Sequence, residues 1–364
     1  MKLNEYMNQG ISLLVKTVGR YYLNNPKGIA FLARLAPEIK KSAKRRQRQE
    51  AGGLHVPPFL IASITSRCNL HCAGCYARAA GACTDGGAGD MTAAEWKKIL
   101  SEASDLGVSF VLLAGGEPLV RKDVLETAVS FPNMVFPVFT NGTMMDGEYL
   151  ELFDRNRNLI PVFSIEGDED ATDARRGAGS YRTAVDAMAH FRKRKILFGA
   201  SITVTKANMA GVTQDAFIDG LREKGCGLVF FVEYVPVEPG TEHLVLDGCD
   251  IKKLQETVDG LRDRFPDTIM VSFPGDEEAT GGCLASGRGF FHINSNGGAE
   301  PCPFSPHSQM NLREGTIEEA LRSGFFLRLR EIAVGAGHHG GCTLFEHKRR
   351  SKPFRAAALR DILI

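Results

Sequence analysis

No stretch of this 364-residue chain approaches eighteen uninterrupted apolar residues, so no membrane-spanning helix is expected. The opening "MKLNEYMNQGISLLVK" also lacks a signal-peptide layout, because its apolar run is short and no small-residue cleavage site follows. Net charge is nearly absent, at +1, so overall electrostatics give no argument for a nucleic-acid partner. No solenoid-type repeat occurs, and low complexity is confined to "GACTDGGAG", 81–89. What remains is 43% hydrophobic and 24% charged, an ordinary globular composition with enough length for a sizeable core.

Cysteine, by contrast, is plentiful: nine residues, an odd number. With no secretory layout, a reducing, cytoplasmic setting is expected. Clustered cysteines there read as metal ligands or catalytic groups before disulfides. Charge is also unevenly placed. Residues 1–50 hold eleven Lys and Arg against three Asp and Glu, a local excess of +8 that centres on "KKSAKRRQRQE", 40–50. The plain reading is a solvated basic helix end. The sharper one is peripheral contact of residues 1–50 with an anionic membrane surface or an acidic partner.

Three segments are expected. In residues 1–56, apolar positions at helical spacing (Ile11, Leu14, Val15, Val18, Tyr22, then Ile29, Leu32, Leu35) predict helices over 8–36, broken at Asn25-Pro26, with 40–50 exposed. In residues 57–265, short apolar runs at 58–65, 108–114, 134–140, 159–165, 196–205 and 227–235 alternate with helical patterns. Six such units imply a parallel sheet with crossover helices. After about residue 265 the rhythm changes: "GFFHINSNGGAEPCPF", 289–304, predicts a hairpin about Asn296-Gly297-Gly298, followed by a helix at 316–333.

The densest chemistry is "TSRCNLHCAGCYARA", 65–79, directly after the first predicted strand. Cys68, Cys72 and Cys75 form C-x3-C-x2-C, a triad that can wrap an iron–sulfur cubane and leave one iron open. Zinc remains open as an alternative, since His71 lies inside the motif. Polar or glycine-rich segments follow the next three strands: "GGEP" at 115–118, "TNGT" at 140–143, and "SIEG" at 164–167 with "RRGAGSY" at 175–181. Together they mark one rim at the strands' C-terminal ends, where parallel barrels place their sites.

These motifs resemble those of the radical S-adenosylmethionine (AdoMet) enzymes, over about residues 57–240. The resemblance implies a partial (β/α)6 TIM-type barrel, an α/β fold. It implies a [4Fe–4S] cluster on Cys68, Cys72 and Cys75, with AdoMet chelating the open iron. Gly115, Gly116, Glu117 and Pro118 would meet the methionine amino group, and Ser164, Glu166 and Arg176 the ribose or methionine carboxylate. Thr140 and Asn141 join this cofactor rim. One departure stands out: the aromatic residue common before the third cysteine is replaced by Gly74, and Tyr76 offers the ring instead. The implied chemistry is reductive cleavage of AdoMet to a 5′-deoxyadenosyl radical, which takes a hydrogen atom from substrate. A flavodoxin- or ferredoxin-type electron donor and anaerobic operation follow from it.

Cys283, Cys302 and Cys342, in residues 266–364, resemble the start of the SPASM or twitch extension that carries auxiliary [4Fe–4S] clusters. Three thiols suit the shorter, one-cluster form, with Phe345 where a fourth thiol commonly stands. Cys249, His307, Glu346 and His347 are candidate fourth ligands, and buried structural cysteines are the alternative. Cys83 and Cys226 read as structural. Relatives with such tails often act on peptides or proteins, so peptide maturation or oxidation is the first expectation. A small molecule or lipid is the alternative, since residues 1–55 lack the strand pattern of a peptide-recognition domain. A two-cluster electron carrier is a distant third, because an open iron gains it nothing.

Overall fold

The computed structural model describes residues 18, 19, 21, 22, 25–236, 238 and 240–334. Seven strands run parallel in chain order: β1 Phe59–Thr65, β2 Phe110–Gly115, β3 Phe136–Thr140, β4 Leu159–Ser164, β5 Gly199–Val204, β6 Leu228–Glu233 and β7 Ile269–Phe273. Two short strands, β8 His292–Ile293 and β9 Ala299–Glu300, follow. The sheet order is β7-β6-β5-β4-β3-β2-β1-β8-β9. Six of these strands were expected from the apolar runs. The seventh, "IMVSF", extends the sheet beyond β6, with Leu228 opposite Ile269.

The hairpin at 289–304 is present, but its ladder is only two residues long on each arm. Its first arm docks in parallel on β1, pairing Ile61 with His292. The tail thus adds strands to both edges of the sheet. β7 and β9 end the sheet without pairing to each other, so the barrel is partial. An apolar cluster occupies this seam: Ile61, Val235, Cys283, Ala285, Phe290 and Cys302 pack together, with Phe59, Leu112 and Phe273 against them.

Alternation along the strands sorts the two faces of the sheet. Leu60, Ala62, Ile64, Val111, Leu113, Ala200, Ile202, Val229 and Phe231 are fully buried under the helices. Positions of the opposite parity, such as Ser63, Leu112, Ala114, Ser164, Ser201, Thr203 and Val232, stay half-buried and line the concave face. The lumen is therefore the accessible side.

The N-terminal segment closes the other end. Asn25 caps the helix Pro26–Ala51 by accepting from the Lys27 amide, which accounts for the expected break. This helix does not stop at residue 36. It runs through Pro37, which lies on the exposed side, while its buried stripe of Phe31, Leu35, Ile39 and Ser42 continues past it. Val18, Tyr22 and that stripe pack on Phe110, Val135, Ile160 and Leu197, at the N-terminal ends of β2–β5. Val18 is buried as expected, whereas Ile11, Leu14 and Val15 lie outside the described residues.

The basic stretch is not simply solvated. Arg45 Nη1 donates to Ser104 O at 2.9 Å, and Arg46 donates to Gly107 O and to Ser109 Oγ. Both guanidiniums thus bind the C-terminal end of the helix Ala93–Leu106, where orphan carbonyls and the helix dipole favour a cation. Burial pushes Arg46 down to about 10. The helix expected at 316–333 is two, Ile317–Arg322 and Gly324–Ala333. Ser323 divides them: its backbone is extended and its hydroxyl accepts from Phe326 N.

Among the described residues no helix is long and apolar enough to cross a membrane. Arg46→Ala should cost about 2 kcal/mol, because it strands the Gly107 carbonyl in a buried setting. Lys44→Ala, on the exposed side, should stay within about 0.5 kcal/mol. Urea unfolding of the two variants checks this difference. Equal effects would return the basic stretch to a solvated role.

Candidate active site at the C-terminal end of the sheet

The cysteine loop leaves β1 and is held at once by the turn after β2. Gly116 N–H donates to Thr65 O and Glu117 N–H donates to Arg67 O, each at 2.8 Å. A Cβ on Gly116 would lie 1.9 Å from Arg67 O, and one on Gly115, at φ +123°, 2.3 Å from Thr65 O. These glycines therefore let the cysteine loop approach. Asp90 grips the same corner, accepting from Thr65 Oγ1 at 2.7 Å and from Ser66 N at 3.0 Å.

The Glu117 side chain, expected to accept from a ligand amine, is buried. Oε1 accepts from Leu119 N at 3.0 Å and Thr140 Oγ1 at 2.7 Å, and Oε2 from Asn141 N at 2.8 Å. Burial pushes the carboxyl up to about 7, against these three donors. Pro118 is buried and opens the following turn. Thr140 and Asn141 are buried too and serve the protein's own chain. Asn141 Nδ2 donates to Asn69 Oδ1 at 2.9 Å, and Asn69 Nδ2 to Thr143 Oγ1 at 2.7 Å. The TNGT turn thereby holds the cysteine loop.

The third restraint comes from β4. Glu166 is buried and accepts from Arg175 Nη1, Arg176 Nε and Nη2, and Thr203 N. Ala73 N–H donates to Arg175 O at 2.9 Å, and Arg175 Nε donates back to Ala73 O at 3.1 Å. Arg176 Nη1 reaches Cys72 Sγ at 4.0 Å. Burial alone would lower the Arg176 guanidinium, but Glu166, Cys72 and Cys75 together hold it up. Ser164 ends β4 half-buried on the concave face, beside Ser201 of β5.

Sequence reading missed Arg175, Asn69 and Asp90. Arg175 sits in the last turn of the helix Glu169–Arg176, whose Asp168 cap and acidic first turn are a readable start signal. Nothing local marks the other two.

Cys68, Cys72 and Cys75 are all half-buried and outside any disulfide. Cys83, read as structural, lies close enough to Cys68 to lower that thiol's pKa, while its own rises. Burial raises Cys72, with Arg176 opposing. Gly74 has φ +65°, and a Cβ there would sit 2.7 Å from the Tyr234 hydroxyl. Tyr234, just beyond β6, thus fills the space that an aromatic side chain at 74 would claim. Its buried hydroxyl has no hydrogen-bond partner among the described residues. Tyr76, the ring expected at the cofactor, packs edge-on against Phe304 of the tail with ring centroids 4.9 Å apart.

Among the described residues, no group of three or more His, Cys, Asp and Glu is gathered tightly enough for a single metal ion. Three thiols spread along one rim loop, with a guanidinium beside one of them, suit the separate corners of a cubane better than one zinc. Cys283 and Cys302 lie together in the apolar seam. Cys342 lies outside the described residues, as do Phe345, Glu346 and His347. Cys249 is exposed in the first turn of the helix Gly248–Arg264, apart from that seam cluster.

Gly116→Ala should cost about 2–3 kcal/mol, because backbone must move to admit the methyl. Gly147→Ala, where nothing lies within 4 Å, is the control and should change little. Because the folded Glu117 carboxyl is raised, its contribution to stability is full below about 4.5 and is lost as pH rises through about 7. Glu117→Gln removes that titration and sets an amide donor against Asn141 N–H. Urea midpoints between pH 4.5 and 7 should therefore show a gap from wild type that narrows as pH rises. A constant gap would contradict the raised carboxyl.

Residues 62–219 match the family described as the Radical SAM superfamily. An AdoMet-dependent heme synthase of Methanosarcina barkeri is 28% identical over 83% of this chain and 92% of its own. A mycofactocin maturase of Mycobacterium ulcerans is 26% identical over 80% of this chain and 83% of its own. Among solved structures, Streptococcus suis SuiB bound to its precursor peptide SuiA superposes with a TM-score of 0.68 at 17% identity, covering 85% of this chain and 77% of that one. That likeness supports the partial barrel. Residues 62–219, from within β1 to the helix after β5, are thus a Radical SAM domain, and the chain is an enzyme.

Proposed function

We propose that Cys68, Cys72 and Cys75 hold a [4Fe–4S] cluster with AdoMet on its open corner, and that a substrate enters the lumen from that rim. When bound, the cluster and AdoMet supply hydrogen-atom abstraction from carbon. The observation that carries this reading is the multiply tethered cysteine loop over an open concave face. The chain's own residues hold the loop, keep positive charge beside Cys72, and leave the half-buried parity of β1–β6 for substrate. Gly115 and Gly116, at the loop's edge, would offer backbone groups to the methionine end, with Ser164 on the concave face. Glu117, Thr140, Asn141 and Glu166 would act from behind, as positioning residues.

A small organic substrate of the cofactor-biosynthesis kind is favoured. The heme synthase likeness covers nearly all of that relative, and the segment before β1 is a helix plug on the barrel. A peptide substrate is the second reading, favoured by the comparable likeness to the mycofactocin maturase. Cys283, Cys302 and Cys342 are proposed to hold one auxiliary [4Fe–4S] cluster in the seam between β1 and β7.

Anaerobically reconstituted protein with dithionite and AdoMet should yield 5′-deoxyadenosine. Replacing Cys68, Cys72 and Cys75 together by Ala should abolish it. Undiminished product in that variant would overturn the assignment. Iron in the same variant reports on the tail: roughly four atoms per chain, one cubane's worth, support the auxiliary cluster, and none removes it. Iron porphyrins bearing propionates, offered beside synthetic precursor peptides, should raise 5′-deoxyadenosine formation selectively if the first substrate class is right.

A further inference from the structure

β1 carries a polar group that the cysteine loop does not use. Ser63 lies on the concave face, half-buried, two residues before the strand ends. Its Oγ is 2.7 Å from His292 Nε2, and His292 Nδ1 is 2.7 Å from Glu300 Oε2. The other carboxylate oxygen accepts from Asn294 Nδ2 at 2.6 Å. We propose that Ser63, His292 and Glu300 form a proton relay that opens on the lumen. Ser63 would bind a substrate bearing a protic heteroatom (a hydroxyl, thiol or amine) and take its proton.

The array follows from topology. β8 docks on β1 with Ile61 opposite His292, which brings the imidazole beside Ser63 across 229 residues of sequence. β8 and β9 then pair antiparallel with His292 opposite Glu300. His292 is 4% exposed and Glu300 5%, so solvent does not compete for either contact. Only the serine hydroxyl reaches the accessible face.

The chemistry of the partners fixes the ring's tautomer. A carboxylate already holding the Asn294 amide is an acceptor, so Nδ1 carries the proton and Nε2 is left to accept from Ser63. The step balances without electron transfer. The substrate's X–H proton passes to Ser63 Oγ as the serine proton passes to Nε2. An imidazolium results, stabilised by Glu300, and the substrate becomes the conjugate base. Return of the proton reverses each bond change. Loss of its proton toward Nε2 makes Ser63 Oγ nucleophilic toward a strong phosphorus electrophile, whereas catalysed acyl transfer fits less well. Ser63 lies within a strand whose ladder to β2 resumes at Thr65 after a one-residue register shift, with no sharp turn to present amides to an oxyanion. A purely structural Ser–His–Glu contact would not need its serine on the open face.

The relay's geometry stands by itself; that it serves the substrate of this lumen rests on the reading above. The test therefore avoids both AdoMet cleavage and an identified substrate. Oxidised holoprotein is treated with a small alkyl fluorophosphonate and digested for mass spectrometry. Ser63 should carry the phosphonyl group. Labelling should be lost in Ser63→Ala and slowed roughly tenfold or more in Glu300→Gln, which keeps the side-chain size. In parallel, nitrogen-15 histidine spectra should show a neutral His292 ring protonated at Nδ1, its Nε2 resonance moving in Ser63→Ala. No adduct on Ser63, when a serine hydrolase control is labelled, overturns the proposal. So does a neutral His292 protonated at Nε2, or labelling unchanged in Glu300→Gln. Failure of the 5′-deoxyadenosine assay would leave these readouts untouched, so the two readings fall separately.

Discussion

Everything at the rim depends on how closely the turn after β2 lies against the exit of β1. Two backbone hydrogen bonds, from residues 116 and 117 to Thr65 and Arg67, need a separation that excludes a side chain at 116. Once that approach is made, the restraint propagates. The Glu117 carboxylate carries it to β3 through Thr140 and the Asn141 amide. The Asn141 side chain returns it to the cysteine loop at Asn69. The circuit is closed, and its Glu117, Thr140 and Asn141 members are buried, so none of these three can relax alone without stranding a partner in a low-dielectric setting.

Charge is arranged on the same principle. Burying Glu166 alone would be costly, and one arginine would leave lone pairs unused. Arg175, Arg176 and the Thr203 amide use them. Two guanidiniums against one carboxylate leave an unmatched positive charge, and Arg176 places it beside Cys72. The cysteine loop is thereby faced by a fixed cation whose own desolvation is covered by Glu166. Arg175 Nε donates to Ala73 O, so one ion-pair network sets both the loop's position and its potential.

How much of this was legible depended on range in sequence. The six βα units announce themselves through local periodicity, and the triad through a spacing of eight residues. β7 was missed because "IMVSF" is short and follows a long helix, with no crossover rhythm left to flag it. The rim segments follow the strands as expected, but their contacts with one another were not foreseen. GGEP and TNGT could as well be ligand contacts or mutual contacts from spacing alone. Only the packing shows Glu117 and Asn141 facing each other's strands. Tyr76 and Tyr234 exchange the roles a linear reading suggests, because the space over Gly74 belongs to a residue about 160 positions away. The Ser63–His292–Glu300 array was beyond reach, since no local pattern specifies that a hairpin docks in parallel on the first strand.

That docking also decides what kind of cavity the barrel encloses. A sheet whose β7 and β9 edges do not meet leaves a seam, and an open seam would flood the lumen. The tail fills it with Ala285, Phe290 and two cysteines, while the helix Pro26–Ala51 closes the opposite end. The cysteine loop stands at the end of the sheet that this helix leaves free. Tyr76 and Phe304 pack edge to face there, joining the helix that follows Cys75 to the loop that follows Cys302. A displacement of either loop therefore presses on the other through an aromatic pair. Rim and tail are mechanically one site, although about 230 residues separate them in the chain.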